Sequence, residues 1–172
     1  MPKYTLSIRI LHWIMAIGIW TAFILGRYVS NAESFTVQLV PLLVFHKSVG
    51  FVLFVLVCLR LSLWFGQKSP PIPLPRTHAR IAKFGHALIY LFMISTPILG
   101  ILGNSYSGFS LPVFSNQVAI PVFVSPDEEI ASFLFFLHGF SAIVLIVLSI
   151  GHLCMALWNS YVTKIVPISR MI

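Results

Sequence analysis

The chain has 172 residues, of which 58% are hydrophobic and only 9% charged. An ordinary soluble domain is about a quarter charged, so this composition excludes a soluble globular protein and predicts an integral membrane protein. The formal net charge of +7 does not indicate a nucleic-acid partner, because the basic residues form no patch among aromatics and are distributed as membrane topology requires.

Four long apolar stretches predict four membrane-spanning helices in an all-α bundle, since a span needs about 20 apolar residues. We treat the chain as a single membrane domain, residues 1–172, surrounded by the lipid bilayer. The spans are expected at about residues 7–26, 37–65, 81–102 and 130–159.

Prolines mark the connections between the spans. Residues 66–80 form a linker whose prolines exclude a helix, and we place His78 in this linker. Residues 103–129 are too polar and broken to span, so we expect them to fold over the membrane surface. In the sequence SPDEE, Ser125 is the expected N-cap of the fourth helix, with Pro126 at the first helical position.

An even number of spans places both termini on one side of the membrane. That side carries most of the basic residues, with Arg60 near it: Lys3, Arg9, Lys68, Arg76, Arg80, Lys83, Lys164 and Arg170. The other side has only Arg27 and Lys47. The positive-inside rule therefore predicts that both termini are cytoplasmic.

Histidines are the chemically informative residues. His138 and His152 lie fourteen residues apart in the fourth span, which is nearly four helical turns, so both project from one face near opposite membrane surfaces. By depth, His46 matches His138 at the outer side and His12 matches His152 at the inner side. His86 is a further inner histidine.

Two histidines facing each other across a helix bundle can hold the iron of a b-type haem from both axial positions. The sequence therefore predicts two non-covalent haems b, because it contains no CxxCH motif for covalent attachment. Arg9 and Arg60 are candidate partners of the haem propionates, and Gly50, Gly139 and Gly151 leave room for a flat macrocycle. A zinc site would need ligands clustered at one depth, whereas these histidines lie at two depths. A proton relay would normally include an intramembrane carboxylate, and the predicted spans contain no Asp or Glu.

The ordered motifs resemble those of the prokaryotic cytochrome b561 family over nearly the whole chain. They are R-x-x-H-W from Arg9, H-K-S-x-G from His46, L-R-L from Leu59, G-H-x-x-x-Y from Gly85 and P-x-x-G from Pro97, followed by H-G and G-H on the fourth helix. The resemblance implies a four-helix di-haem protein of the bacterial inner membrane. It also implies that the axial ligands are His12, His46, His138 and His152.

Family members that are enzymes oxidise superoxide at the periplasmic face and reduce ubiquinone. For this activity Lys47, beside His46, is the candidate catalytic cation that attracts the superoxide anion, and Arg27 is an alternative. His86 is a candidate contact of ubiquinone. Two further hypotheses are a cytochrome b subunit that relays electrons from a redox partner protein to quinone, and a histidine-lined metal transporter. The chain departs from the family after His152, where the family commonly has A-L-x-H-H and this sequence has A-L-W-N-S.

Overall fold

The computed structural model describes residues 3–34, 36–66, 75–114, 118–165 and 168–171. Within these residues, four helices are long and apolar enough to cross a membrane: α1 (Leu6–Ser30), α2 (Val40–Gly66), α3 (Arg76–Tyr106) and α4 (Glu128–Leu157). The predicted all-α membrane fold is thereby confirmed. Lys68, Pro70, Pro71 and Pro73 lie outside the described residues.

The remaining elements are short. A 3-10 turn, Val37–Leu39, precedes α2, while a π turn, Trp158–Val162, and a 3-10 turn, Ile168–Arg170, follow α4. Between α3 and α4 lies an antiparallel hairpin of strand β1 (Leu111–Val113) and strand β2 (Val118–Ile120).

The helix α3 extends beyond both ends of the predicted span, residues 81–102. It begins at Arg76 because Pro75 takes the N-cap position, where a missing N–H costs nothing, so His78 lies in the helix and not in a linker. At its other end α3 continues to Tyr106, because the buried residues Asn104 and Ser105 have hydrogen-bond partners in the following loop. The predicted start of the connection at residue 103 was therefore wrong.

The N-cap of helix α4 lies two residues later than predicted. Asp127, and not Ser125, is the N-cap, and its carboxylate Oδ1 accepts a hydrogen bond from Ile130 N at 3.0 Å. A carboxylate at this position satisfies one of the free N–H groups and also interacts favourably with the helix dipole.

The N-terminal and C-terminal segments meet at one end of the bundle. Tyr4 N donates a hydrogen bond to Arg170 O at 3.2 Å, and Trp13 Nε1 donates one to Met171 O at 2.8 Å. We call this end the inner end, in accordance with the predicted topology. The opposite end, with the hairpin, is the outer end.

The four helices pack as two pairs, α1 with α2 and α3 with α4, and the contacts between the pairs are fewer. Leu11, Met15 and Val57 form a small buried core between α1 and α2. Most other large apolar side chains are exposed on the bundle surface, as expected for helices that face lipid. The loose contact between the two pairs leaves room for a cofactor between them.

Candidate haem sites

The outer histidines face each other across the gap between the helix pairs. The ring centres of His46 on α2 and His138 on α4 are 6.0 Å apart, and the ring planes are at 88°. A histidine nitrogen bonds a transition metal at about 2 Å and lies roughly 1.2 Å from its own ring centre, so two rings on opposite sides of one iron have centres ~6.4 Å apart. The observed separation therefore fits axial ligation of one haem.

A backbone carbonyl holds each outer imidazole in position. His46 Nδ1 donates to Ala22 O at 2.8 Å, and His138 Nδ1 donates to Thr96 O at 2.8 Å. Because a carbonyl oxygen can only accept, Nδ1 carries the hydrogen in both rings, and the lone pair remains on Nε2. This is the usual arrangement of metal-binding histidines, in which the second ring nitrogen donates to a carbonyl.

A glycine one turn after each carbonyl allows the imidazole to approach the neighbouring helix. A Cβ at Gly26, four residues after Ala22, would lie 2.9 Å from Cε1 of His46. A Cβ at Gly100, four residues after Thr96, would lie 3.0 Å from Cε1 of His138. The two outer histidines thus contact equivalent positions on α1 and α3.

Both outer histidines line a cavity of ≈ 330 Å³ between the helix pairs. Its other lining residues are mostly apolar, and the exposed Arg27 lies at its outer part with Ser30. Gly50 and Gly139 also line it, and a Cβ at either position would meet nothing within 4 Å. A largely apolar, partly preformed cavity with convergent imidazoles is suited to a haem macrocycle.

Three histidines come together at the inner end. The ring centres of His12 on α1 and His152 on α4 are 6.2 Å apart, with the ring planes at 66°. His86 on α3 is closer to His152, at 5.0 Å between ring centres, and its Nδ1 donates to Ala82 O of its own helix. By the same estimate of ~6.4 Å, the His12–His152 separation fits a shared iron better than the His86–His152 separation.

The inner pair differs from the outer pair in that a cation is hydrogen-bonded to one of its ring nitrogens. Arg60 Nη1 donates to Nδ1 of His12 at 3.1 Å, and Arg60 Nε donates to the Tyr90 hydroxyl at 3.0 Å. Since a guanidinium can only donate, Nδ1 of His12 is the acceptor, and the hydrogen of the neutral ring is on Nε2. Iron ligation by Nε2 of His12 therefore requires the hydrogen to move to Nδ1 and Arg60 to turn to another acceptor.

The family model described as prokaryotic cytochrome b561 matches residues 3–172. The chain belongs to this family. Its members bind haem b and transfer electrons across a membrane, so this protein is a bacterial membrane cytochrome with an oxidoreductase or electron-transfer role.

Two curated relatives from Escherichia coli K12 are similar over much of their length. Cytochrome b561 homolog 2 is 28% identical over 173 residues, which is 99% of this chain and 91% of that protein. Cytochrome b561 homolog 1 is 29% identical over 128 residues, or 73% of this chain and 72% of that protein.

In this cytochrome b561, Arg9 fits the predicted role of an anion partner at the inner end. Its Nε is buried and has no hydrogen-bond partner among the described residues. A buried guanidinium donor whose hydrogen-bond partner is missing from the described residues can bind a carboxylate such as a haem propionate, because the two groups form strong charge-assisted hydrogen bonds. Arg60 lies at the same end, where it contacts His12.

Lys47, which the sequence presents as the candidate catalytic cation, is directed towards α3. Its Nζ donates to Asn104 Oδ1 at 2.7 Å, and Asn104 Nδ2 donates to Phe109 O at 2.7 Å. Lys47 is half-buried and is not among the residues that line the outer cavity, whereas Arg27 is. Arg27 is thus the outer cation that shares a cavity with both histidines.

A zinc site or a metal-transport pathway would require metal-binding side chains clustered at one point. Across the described ranges, no group of three or more His, Cys, Asp or Glu side chains is arranged to hold a metal ion. The geometry therefore gives neither function support in this part of the chain. The cysteines Cys58 and Cys154 are both exposed and free.

The residues that position the outer histidines were not predicted from the sequence. Ala22 and Thr96 act through their backbone carbonyls, which no side-chain pattern reveals. The P-x-x-G motif did include Gly100, and the interval of four residues between Ala22 and Gly26 repeats that between Thr96 and Gly100. Tyr90, which holds Arg60, was part of the G-H-x-x-x-Y motif but received no role.

Proposed function

We propose that this cytochrome b561 binds two haems b and carries electrons from superoxide at the periplasmic face to ubiquinone in the bacterial inner membrane. The observation that supports this most strongly is the presence of two histidine pairs at two depths, with ring centres 6.0 Å and 6.2 Å apart, that share α4. His46 and His138 are the proposed outer ligands, and His12 and His152 the inner ones. The protein crosses the membrane several times, with both termini cytoplasmic.

Haem iron supplies one-electron redox chemistry, which joins a one-electron donor to a two-electron acceptor. Two superoxide ions each lose one electron and become dioxygen. One ubiquinone takes up both electrons and two protons and becomes ubiquinol. The histidine-bearing face of α4 provides the connection between the two reactions, because His138 and His152 lie about 21 Å apart along its axis.

Capture of superoxide requires positive charge near the outer haem, because the substrate is an anion. Arg27 is exposed and lies in the wall of the cavity that His46 and His138 share. Lys47 contributes a second positive charge beside His46, held by Asn104. We propose that Arg27 attracts the anion to the cavity and that Lys47 supports it electrostatically.

Reduction of ubiquinone requires a hydrogen-bond donor and a source of protons near the inner haem. His86 is exposed, and its ring is 5.0 Å from that of His152. Because its Nδ1 hydrogen is donated to Ala82 O, Nε2 is the ring nitrogen that can exchange a proton with a ligand. We therefore assign to His86 the contact with the quinone head group, rather than a role as haem ligand.

A second candidate function is electron relay from a redox protein docked on the outer face. The exposed acidic residues Asp127, Glu128 and Glu129 favour it, because they lie together at the outer end and oppose the approach of an anion. A protein partner with a basic surface would be attracted to them. In this case the two haems and the quinone site are the same, and only the donor differs.

The deciding experiment supplies superoxide to the purified protein in lipid nanodiscs without quinone. We expect about two haems per chain and reduction of haem by superoxide, visible in the α-band and abolished by superoxide dismutase. Reoxidation should follow when a soluble ubiquinone is added. A protein with two haems that superoxide does not reduce would favour the relay function, and one without a Soret band would contradict both.

A further inference from the structure

The two histidine pairs have different groups hydrogen-bonded to their ring nitrogens. At the outer pair, His46 and His138 each donate Nδ1–H to a backbone carbonyl, which presents the negative end of its dipole to the ring. At the inner pair, His12 faces the guanidinium of Arg60 at 3.1 Å. The described contacts of His12 and His152 include no backbone carbonyl at a ring nitrogen.

Groups that contact a metal-binding imidazole tune the redox potential of the bound metal. A carbonyl that accepts the N–H of an axial imidazole makes the ring a stronger electron donor, which favours the oxidised iron and lowers the potential. A fixed positive charge near the iron favours the form that has gained an electron, and so raises the potential. These two effects act at opposite ends of this molecule.

The sequence explains why the charge of Arg60 is not neutralised by the protein. All four acidic residues of the chain belong to the outer end: Glu33, Asp127, Glu128 and Glu129. The two acceptors that hold Arg60, the Tyr90 hydroxyl and Nδ1 of His12, are neutral. The side chain is half-buried within a membrane span, where a charge acts over a longer distance than in water.

We propose that Arg60 raises the midpoint potential of the inner haem above that of the outer haem, so that electron transfer from the outer to the inner haem is downhill. The proposal rests on the two-haem function given above. In this transfer the outer iron is oxidised by one electron and the inner iron is reduced by the same electron. Arg60 is a positioning residue in this reaction, since it acts on the inner haem through its charge, which the hydrogen bond from its Nε to Tyr90 holds beside His12 even when Nδ1 of His12 is no longer its acceptor.

Three further cations, Lys47, Arg27 and Arg9, lie near the histidine pairs. Lys47 is beside the outer ligand His46, but its ammonium group is directed to Asn104 and not to the imidazole. Arg9 is at the inner end with a buried donor available, so it can pair with the haem carboxylates while Arg60 keeps its charge near the ligand ring. Arg27 lines the outer cavity, but its side chain is exposed, so water weakens the effect of its charge on the outer haem. The difference between the haems therefore depends mainly on Arg60.

The test is a spectroelectrochemical redox titration of the haem-loaded protein in nanodiscs, which does not depend on enzymatic activity. The wild type should show two midpoints. In Arg60→Met, which removes the charge, the higher midpoint should fall by about 59 mV or more, equivalent to a tenfold change in the one-electron equilibrium constant, while the lower one is unchanged. Arg60→Lys, which retains the charge, should keep most of the difference.

A second pair of variants guards against loss of the inner haem in Arg60→Met. Arg60→Gln keeps a hydrogen-bond donor without the charge and should lower the same midpoint, whereas Lys47→Met, the outer control, should leave the higher midpoint in place. An unchanged higher midpoint in both Arg60→Met and Arg60→Gln, or a shift confined to the lower one, would overturn the inference. A wild-type protein with only one haem would instead contradict the two-haem proposal itself.

Discussion

Gly100 on α3 lies directly against the imidazole of His138 on α4. A Cβ at this glycine would be 3.0 Å from both Cε1 and Nδ1 of the ring, and Nδ1 donates to Thr96 O one helical turn earlier. The absence of a side chain at position 100 is therefore what permits the hydrogen bond at position 96. The proposed ligation of the outer haem by His138 therefore depends on how closely α3 and α4 approach each other.

We expect Gly100→Ala to weaken or abolish binding of the outer haem while the inner haem is retained. The added methyl group forces the ring or the helix to move, a type of overpacking that costs about 1–3 kcal/mol. The measurement is haem content per chain by pyridine haemochrome assay, together with the Soret spectrum. Gly26→Ala, at the equivalent position next to His46, should have the same effect.

Gly85→Ala is the matched control, because a Cβ at Gly85 would meet nothing within 4 Å. It lies on the same helix as Gly100 and should leave both haems in place. Full haem content with an unchanged spectrum in Gly100→Ala would contradict the proposed position of His138.

Thr96 and Ser141 form a buried hydrogen-bonded connection between α3 and α4. Thr96 Oγ1 donates to Ser141 Oγ at 3.0 Å, and Ser141 Oγ donates to His138 O at 2.9 Å. We expect Ser141→Ala to destabilise the bundle more than Thr96→Val, because it leaves the buried Thr96 hydroxyl without its acceptor on α4. The coupling between the two residues should be on the order of 0.6 kcal/mol, the average for hydrogen bonds between membrane helices.

The free energy of unfolding in mixed detergent, measured for both single variants and the double variant, gives this coupling. Ser62→Ala is a suitable control, because the Ser62 hydroxyl is exposed and donates to Cys58 O in its own helix. Additive effects of Thr96→Val and Ser141→Ala would show that the connection contributes nothing to stability.

Helix geometry explains why the histidine partners could be predicted. Because an α-helix has a fixed rise and period, the interval of fourteen residues between His138 and His152 places them on one face at two depths. The order of the spans then gives each of them a partner of the same depth. The structure brings together the rings that this reasoning paired, at 6.0 Å and 6.2 Å. The depth and the face of each histidine depend on its own helix, so they can be predicted from the sequence alone.

Other features depend on how neighbouring helices are placed relative to each other. Ala22 O reaches His46 only because α1 and α2 pack at a particular axial offset, which follows from side-chain packing along both helices. The direction of Lys47 likewise depends on the extension of α3 to Asn104, where the sequence predicted a loop. Such relationships between elements could not be obtained from periodicity.

Arg27 and Lys47 can be distinguished by the rate at which superoxide reduces the haem. We expect Arg27→Gln to lower the second-order rate constant several-fold and to weaken its dependence on ionic strength, because Arg27 lies in the cavity wall. Lys47→Gln should have the smaller effect, since its ammonium group is bonded to Asn104. Pulse radiolysis at several salt concentrations measures both constants.

The haem content of the two variants serves as the control, and both should retain two haems. The reverse order of effects would return the catalytic role to Lys47, as the sequence alone predicted. Equal rates in both variants and the wild type would indicate that neither cation attracts superoxide, and would favour a protein donor.

His12 and His86 both lie near His152, and their substitution should separate haem ligation from quinone chemistry. His12→Ala should remove the inner haem, because the His12–His152 ring separation of 6.2 Å matches axial ligation. His86→Ala should retain both haems, with the two midpoints unchanged, and should slow reoxidation by ubiquinone. Haem content and stopped-flow reoxidation of the pre-reduced protein measure the two effects independently.

His86→Gln refines this prediction, because a glutamine side chain can donate a hydrogen bond to the quinone but cannot exchange a proton near neutral pH. If His86 mainly holds the quinone head group, His86→Gln should restore most of the reoxidation rate. If it mainly transfers protons, the rate should remain as low as in His86→Ala. Loss of a haem in His86→Ala, with two haems retained in His12→Ala, would instead identify His86 as the partner of His152.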